Sequence, residues 1–364
     1  MVLICKKCNL TWHYPVDTCI YCGSKTETVN PKSYIVRGIT EVFTPSPDHN
    51  SVPYYDLLLE DEYGNFHIRK AFQSHELGDK ISEVKREIKV KKVGVIGTGI
   101  TGIGITQICI QAGCKVRLKS RSKRKLNQAI EKIGVRLLKK MKAEERDKLL
   151  RNIKPIVKLD DFNGVDIVIE SVIEDIEIKK QLFKELDKLC PKKTVFATNT
   201  SSLSINEIAT ATSAPNRVIG MHFFNPVPAM RLVEIIAGEK TSQETIKFVE
   251  NFAKQLLKVP VIMRDTPGFI VNRILMPYLN EAVYVLSEGI ASPSDIDTAA
   301  KLGCNYPMGP FELLDLIGLD IFLAIMNSLY QRTANPKYLP CPLVEKMIQE
   351  GKLGRKTNEG FYKY

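Results

Sequence analysis

The chain has 364 residues, of which 44% are hydrophobic and 26% are charged, and its formal net charge is +11. This composition is ordinary for globular proteins and excludes a fibrous or intrinsically disordered chain, while the length allows two to four domains. Residues 1–90 hold 11 basic and 12 acidic side chains, so the basic excess belongs to the remainder of the chain. Such an excess suits nucleic acid or small polyphosphate ligands, and charge alone does not decide between them.

Neither a membrane span nor an export signal is indicated. The most apolar stretch, residues 93–113, contains six glycines and no long aliphatic run, which argues against a transmembrane helix. The N-terminal residues lack a basic region followed by an apolar stretch and a cleavage site. We therefore expect a cytoplasmic protein that does not bind a membrane.

Four of the nine cysteines form two Cys-x-x-Cys pairs near the N-terminus, and these are Cys5, Cys8, Cys19 and Cys22. Two such turns supply four thiolates for one tetrahedral zinc ion, and a shell filled by sulfur leaves no position for water. We predict a structural zinc ribbon over residues 1–30. The alternatives are a catalytic metal or redox-active dithiols.

Alternating apolar and polar residues follow the ribbon in three stretches, Ser33–Val42, Tyr54–Glu60 and Asn65–Ala71. Proline, aspartate and glycine separate these stretches, as expected for short strands joined by turns. The pattern predicts a small antiparallel β-barrel over residues 31–90, and a charged segment, Lys80–Lys92, marks its boundary.

From Lys92 the pattern changes to apolar strands that alternate with longer helical segments. This alternation is typical of a doubly wound α/β domain with a parallel sheet covered on both faces. The clearest strands are Lys92–Ile96, Lys115–Lys119, Ile167–Ser171, Val195–Thr198, Val218–His222 and Leu232–Ile236. After Thr266 the strand pattern stops and Gly268–Glu288 reads as one long helix. We predict an α/β domain over residues 91–266 and an all-helical domain over residues 267–364.

Gly97, Gly99 and Gly102 have the spacing of a dinucleotide-binding turn, directly after the first of these strands and at the start of a helix. In that motif the first glycine makes the tight turn, the second lets a pyrophosphate approach the backbone, and the third lets helix and strand pack closely. The N-terminus of the helix then faces the phosphates.

The end of the second strand bears on the choice of cofactor. An acidic residue at this place hydrogen-bonds the adenosine 2′-hydroxyl of NAD and repels a 2′-phosphate. Here residues 119–124 contain no carboxylate, and Ser120 and Arg121 can both contact a phosphate. We predict NAD(P) binding, with NADP(H) favoured over NAD(H); the alternative is that these residues are a solvated helix start.

Several ordered motifs carry a family resemblance. They read Asn-Thr-Ser-Ser-Leu-Ser-Ile from Asn199, Met-His-Phe-Phe-Asn-Pro from Met221, Leu-Val-Glu-Ile from Leu232, Thr-Pro-Gly-Phe-Ile-Val-Asn-Arg from Thr266 and Pro-Met-Gly-Pro-Phe-Glu-Leu from Pro307. With them, residues 93–364 resemble the 3-hydroxyacyl-CoA dehydrogenase family, and most closely its 3-hydroxybutyryl-CoA branch. The resemblance implies an oxidoreductase that transfers hydride reversibly between a short (S)-3-hydroxyacyl-CoA and a nicotinamide cofactor. It also implies a homodimer formed through the helical domain.

His222 and Glu234 form the expected catalytic pair. His222 ends an apolar strand, and an imidazole titrates near neutral pH, so it can take the proton of a 3-hydroxyl or return it. Glu234 stands inside an apolar strand, where an unpaired carboxylate is costly. Paired with His222, it would fix the tautomer and stabilise the imidazolium. A purely structural histidine is the alternative.

The resemblance assigns further roles. It implies that Ser201 hydrogen-bonds the substrate 3-oxygen and that Asn272 helps to polarise and position the substrate. It places Glu174 and Lys179 near the nicotinamide and Asn199 among the cofactor-binding residues. The alternatives are a turn or helix cap for Ser201 and a surface salt bridge between Glu174 and Lys179.

Residues 1–90 resemble zinc-ribbon and OB-fold proteins that accompany thiolases and other acyl-CoA enzymes. OB-folds often bind nucleic acid in a basic groove, but this segment is net acidic, so we expect a thiolase-type protein partner and no nucleic acid. The basic stretch Lys132–Arg151 is a candidate for gripping coenzyme A phosphates, or equally a solvated face. Two alternatives remain for the whole chain: a dehydrogenase of a free hydroxy or sugar acid such as gulonate, and a non-catalytic scaffold.

Overall fold

The computed structural model describes residues 2–5, 10–12, 25, 27–29, 33–42, 54–61, 66–71, 76–82 and 90–364. The chain divides into two compact units, Met1–Glu87 and Ile88–Tyr364.

The described residues of the first unit form two antiparallel sheets. The strands are β1 (Val2–Cys5), β2 (Leu10–Trp12), β3 (Glu27–Val29), β4 (Ser33–Val42), β5 (Tyr54–Asp61), β6 (Phe66–Ala71) and β7 (Lys80–Ser82). Their orders are β2-β1-β3 and β6-β5-β4-β7, and Tyr34, Val36, Leu57 and Leu59 form a small core. A closed barrel stays a prediction. The zinc ribbon does too, because Cys8, Cys19 and Cys22 lie outside the described residues.

The second unit is built on one eight-stranded sheet. Its strands are β8 (Lys92–Ile96), β9 (Lys115–Lys119), β10 (Ile153–Ile156), β11 (Ile167–Glu170), β12 (Val195–Thr198), β13 (Val218–Phe223), β14 (Leu232–Ala237) and β15 (Val259–Arg264), in the order β10-β9-β8-β11-β12-β13-β14-β15. Strands β8 to β13 are parallel, whereas β14 runs antiparallel to β13 and β15 runs parallel to β14. The expectation of a parallel sheet is therefore wrong for β14, and β15, which the sequence did not predict, runs in the same direction as β14.

Helices cover both faces of this sheet and then form a layer of their own. They are α1 (Ile100–Gln111), α2 (Lys123–Leu138), α3 (Ala143–Leu150), α4 (Ile176–Leu189), α5 (Ile205–Ala209), α6 (Gln243–Gln255), α7 (Val271–Ser287), α8 (Pro293–Gly303), α9 (Pro310–Ile317), α10 (Leu319–Thr333) and α11 (Pro342–Gln349). Helices α1, α2 and α6 pack on one face, α4 and α5 on the other, and α7 to α11 enclose a third core. The predicted doubly wound α/β fold with a helical C-terminal region is confirmed.

The strand order reverses beside β8, because β9 and β10 lie on one side of it and β11 on the other. In open α/β sheets, ligands bind in the crevice outside the carboxyl ends of the strands at such a switch point. The turn between β8 and α1, which contains the three glycines of the motif, lies at this place.

Among the residues that the structure describes, no single helix is long and apolar enough to cross a membrane. Helices α9 and α10 pass that test only as a pair, with a 94° bend between them.

Candidate active site

The glycine turn has the geometry that the spacing predicts. Gly97 has φ +121°, and a Cβ there would lie 2.1 Å from the carbonyl oxygen of Ser171, which follows β11. A Cβ on Gly102 would lie 2.2 Å from the carbonyl oxygen of Gly97, whereas a Cβ on Gly99 would meet no atom within 4 Å. Gly97 and Gly102 are therefore needed to build the turn, while Gly99 faces open space suited to a ligand.

The N-terminus of α1 is arranged to receive an anion. Gly99 precedes the helix, no side chain caps it, and its first turn contains no acidic residue. Its free backbone amides and the helix dipole both favour a bound phosphate. The hydroxyl of Ser120 lies 3.4 Å from that of Thr98 in the glycine turn, and the adjacent Arg121 is exposed. These residues fit the phosphates of a dinucleotide.

His222 and Glu234 are brought together by strand pairing. They are direct partners in the antiparallel register of β13 and β14, and His222 Nδ1 lies 2.7 Å from Glu234 Oε2. The other oxygen, Oε1, accepts hydrogen bonds from the amides of Ile270 (3.0 Å) and Val271 (2.9 Å) at the start of α7. Both side chains are buried. With Nδ1 engaged, Nε2 is the imidazole nitrogen left for a substrate.

Ser201 is held between Glu174 and Asn272. Glu174 Oε1 accepts hydrogen bonds from the amide (2.8 Å) and the hydroxyl (3.2 Å) of Ser201. Asn272 Nδ2, in the first turn of α7, donates to the carbonyl oxygen of Ser201 at 3.2 Å. Because amides at the start of α7 also hydrogen-bond Glu234, this helix supports both the loop that contains Ser201 and the His222–Glu234 pair.

Neighbouring charges and hydrogen bonds keep the pKa of Glu174 low. Burial raises the pKa of Glu174, but the charge of Lys179 and the hydrogen bonds from Thr200 and Ser201 outweigh burial and hold that pKa below the ordinary value for glutamate. The carboxylate is therefore an acceptor for the Ser201 loop at neutral pH.

Lys179 is enclosed by two carboxylates. Its Nζ lies 2.6 Å from Glu170 Oε1 and 3.4 Å from Glu174 Oε2, and its side chain is only 1% exposed. The salt bridge between Glu174 and Lys179 that the sequence offered as an alternative is therefore present, but its lysine is buried and also pairs with Glu170.

Glu170, at the end of β11, is a site-supporting residue that the sequence analysis missed. It is fully buried and accepts hydrogen bonds from Lys179 Nζ, from the Val172 amide (2.6 Å) and from Thr198 Oγ1 (2.7 Å). The signal was available, because a carboxylate that ends the apolar run Ile-Val-Ile-Glu requires partners as Glu234 does.

Asn199 connects two strand ends. Its Oδ1 accepts a hydrogen bond from the amide of Phe223 at 2.9 Å, and its Nδ2 lies 3.4 Å from Ser171 Oγ. Since Phe223 follows His222 and Ser171 follows β11, Asn199 links the histidine strand to the crevice of the glycine turn.

Within the described part of the chain, no group of three or more histidine, cysteine or acidic side chains is arranged to hold a metal ion. The sheet is doubly wound, with a turn suited to an anion at its switch point and an oriented histidine at the end of a nearby strand. This combination defines the class of nucleotide-dependent dehydrogenases.

Comparison with known families narrows this class. Residues 92–266 match the family model described as the NAD binding domain of 3-hydroxyacyl-CoA dehydrogenase, and residues 268–364 match the C-terminal domain of the same family. The chain belongs to the 3-hydroxyacyl-CoA dehydrogenase family. The match to an NAD-binding domain also supports a nicotinamide cofactor.

Individual relatives agree with this assignment. A 3-hydroxybutyryl-CoA dehydrogenase of Clostridioides difficile is 47% identical over 279 residues, covering 75% of this chain and 99% of that protein. The mitochondrial hydroxyacyl-coenzyme A dehydrogenase of Homo sapiens is 42% identical, covering 82% and 99%. The crystal structure of (S)-3-hydroxybutyryl-CoA dehydrogenase from Ralstonia eutropha superposes with a TM-score of 0.73 at 43% identity, covering 76% and 99%.

Proposed function

We propose that this chain catalyses reversible hydride transfer between a short-chain (S)-3-hydroxyacyl-CoA, such as 3-hydroxybutyryl-CoA, and a nicotinamide dinucleotide. The observation that carries the proposal is the buried 2.7 Å contact between His222 and Glu234. The relatives named above, which share at least two fifths of their residues with this chain, supply the substrate class.

In the oxidative direction, His222 Nε2 accepts the proton of the substrate 3-hydroxyl as hydride leaves C3. A bound nicotinamide supplies the hydride acceptor. Glu234 keeps the proton on Nδ1 and stabilises the imidazolium that forms. When substrate binds, the Ser201 hydroxyl turns from Glu174 Oε1 to donate to the 3-oxygen, and Asn272 Nδ2 donates its second N–H to the same oxygen. These two hydrogen bonds hold C3 in line for transfer. In the reductive direction His222 returns the proton to the new alkoxide.

The test is the initial rate of acetoacetyl-CoA reduction, followed at the nicotinamide absorbance, for wild type and His222→Gln. We expect turnover that falls by about 100-fold or more in the variant, the usual contribution of a general acid–base. A diketoreductase structure, 30% identical over 76% of this chain, favours a second candidate, reduction of free dicarbonyl compounds. Turnover of free acetoacetate, with none of its CoA thioester, would select that candidate.

The same active site is proposed to prefer NADP(H). The supports are the lack of a carboxylate in residues 119–124, the hydroxyl of Ser120 beside the turn, and the exposed Arg121. We expect kcat/KM to be higher with NADPH than with NADH, and Ser120→Asp to reverse the order by repelling a 2′-phosphate. A wild-type preference for NADH would refute this part of the proposal and leave the reaction intact.

For the first unit we propose a structural zinc ion bound by Cys5, Cys8, Cys19 and Cys22, and docking to a thiolase-type partner. Metal analysis of the full chain should find one zinc per chain, lost in Cys19→Ser. Recovery of the same partners with and without residues 1–90 would contradict docking. The remaining proposals are a homodimer, tested by sedimentation, and a cytoplasmic location, tested by cell fractionation.

A further inference from the structure

Arg332, in the last turn of α10, reaches from the helical region to the loop that contains Ser201. Its Nη1 donates a hydrogen bond to the carbonyl oxygen of Ser202. Ser202 follows β12 in the α/β region, whereas Arg332 belongs to the helices that begin at α7. The contact is thus a polar link between the two parts of the second unit, 130 residues apart in sequence.

A buried carboxylate keeps Arg332 in this place. Asp265, after the end of β15, has a side chain only 3% exposed. Its Oδ2 accepts hydrogen bonds from Ser204 Oγ (2.6 Å) and the Asn206 amide (2.9 Å). Its Oδ1 is buried without a hydrogen-bond donor, and Arg332 Nη2 lies 4.0 Å away. A buried carboxylate needs a compensating charge, and Arg332 supplies it.

The segment over residues 201–206, which is a loop followed by the start of α5, is consequently fixed from three directions. Glu174 holds the amide and hydroxyl of Ser201, Asn272 holds its carbonyl oxygen, and Arg332 with Asp265 holds the following residues. The first two supports come from residues already assigned to the site. The third comes from a residue to which neither the motifs nor the family resemblance gave a role.

We infer that Arg332 is a positioning residue that acts through Ser201, by fixing the loop that sets where the Ser201 hydroxyl meets the substrate 3-oxygen. The inference rests on the proposed function. A small displacement of a group that orients the reacting atoms lowers the rate steeply, because near-attack geometry tolerates little error. Dinucleotide binding should be unaffected, since the glycine turn uses different residues.

The test compares full-length wild type, Arg332→Met, Arg332→Lys and the control Gln331→Met, an exposed neighbour on the same turn. Three quantities are measured: kcat/KM for acetoacetyl-CoA, the Kd for NADPH from nicotinamide fluorescence, and hydrogen exchange of the amides of residues 202–206. For Arg332→Met we expect kcat/KM to fall about tenfold or more, faster exchange in this segment and an NADPH Kd unchanged within about twofold. Arg332→Lys should recover part of the rate, because it restores the charge but not the forked geometry.

A double-mutant cycle separates positioning from a general structural role. If Arg332 acts through Ser201, Arg332→Met should cost little in a Ser201→Ala background, so the two losses are not additive. Additive losses, or faster exchange with unchanged kcat/KM in an active enzyme, would overturn the inference. A wild type inactive on acetoacetyl-CoA would refute the proposed function instead, and unchanged exchange of residues 202–206 in Arg332→Met would then overturn the inference as well.

Discussion

At the residue scale, two buried glutamates position the other side chains of the active site. Each lies inside or at the end of an apolar strand. Glu234 uses one oxygen for His222 and the other for two backbone amides. Glu170 uses one oxygen for Lys179 and an amide and the other for Thr198. Both oxygens of each carboxylate therefore have hydrogen-bond partners, which is the condition for burying them. One orients an imidazole, and the other orients a lysine that supports Glu174.

Glu234→Gln should impair catalysis more than substrate binding. Both oxygens of Glu234 accept hydrogen bonds, but an amide has only one oxygen, so the variant must present an N–H group either to His222 or to the α7 amides. An N–H facing His222 removes the acceptor that fixes the imidazole tautomer. An N–H facing the α7 amides removes their acceptor, so the side chain shifts and the imidazole loses its orientation. We expect kcat to fall by about 100-fold or more with a small change in KM, measured by steady-state kinetics. Glu239→Gln, an exposed neighbour, is the control, and equal activity of both variants would contradict the role of Glu234.

Lys179→Met should destabilise the chain strongly. Removing one member of a buried ion pair leaves an uncompensated charge and costs about 3–5 kcal/mol, and here the charge left behind is Glu170. Chemical unfolding should show this loss, and Glu170→Gln added to Lys179→Met should restore much of it. The neighbouring Lys180→Met removes solvent-exposed pairs with Glu177 and Glu207 and should change stability far less. Similar losses in both single variants would refute the interpretation.

Glu174 should make the stability of the fold depend on pH. Its pKa is lower in the folded chain than the ordinary value of about 4.3. Its stabilising contribution is therefore complete above the ordinary value and is lost as the pH falls toward the lowered folded value. We expect the denaturant midpoint of wild type to fall more between pH 6 and pH 3.5 than that of Glu174→Gln. Parallel declines would show that Glu174 contributes nothing to the acid sensitivity.

At the scale of elements, the turn between β8 and α1 contains glycines that the fold needs and a glycine that only ligand binding needs, and substitutions can distinguish the two kinds. Gly97→Ala should destabilise the fold by more than about 2 kcal/mol, because it adds a contact with Ser171 to the left-handed strain of about 1–2 kcal/mol. Gly164→Ala, also at positive φ but in open space, measures the strain alone. Gly99→Ala should leave stability within about 0.5 kcal/mol and weaken dinucleotide binding by about tenfold or more, since its methyl group would occupy the ligand space. Unchanged dinucleotide affinity would place the phosphates elsewhere.

Most strands of the second unit could be predicted from their apolar runs, but β10 and β15 could not. Each contains a proline, Pro155 in β10 and Pro260 in β15, and proline within a run argues against a strand. Both strands lie at the edges of the sheet, where a missing backbone donor is tolerated. The direction of β14 was also beyond prediction, because an apolar run does not encode parallel or antiparallel pairing.

The active site was predictable to the extent that its residues are close in sequence or are part of a motif. His222 and Glu234 are twelve residues apart and belong to adjacent strands, so their pairing followed from the need to neutralise a carboxylate. The contacts of Lys179 with Glu170 and of Arg332 with Ser202 depend on how helices pack on the sheet. No local pattern encodes that packing, and these supports became visible only in the structure.

At the scale of the whole molecule, the two units differ in their cores and in their charge. The three cores of the second unit are formed entirely by residues 90–347 and their packed neighbours, and every contact described for the active site joins residues of that unit. The first unit has a small core of its own around Val36 and Leu57. Its sequence is net acidic, whereas the remainder is strongly basic.

Catalysis should therefore survive removal of the first unit. We expect a chain that begins at Ile88 to reduce acetoacetyl-CoA with kcat and KM within about threefold of the full chain, a difference of less than 1 kcal/mol in the barrier. Chelation of zinc in the full chain should be equally neutral toward kcat. Since the shortened chain keeps Ser201, His222, Glu234 and Asn272, a large loss of kcat would mean that the first unit completes the active site. Unchanged kinetics with loss of partner recovery would instead assign the first unit to protein docking.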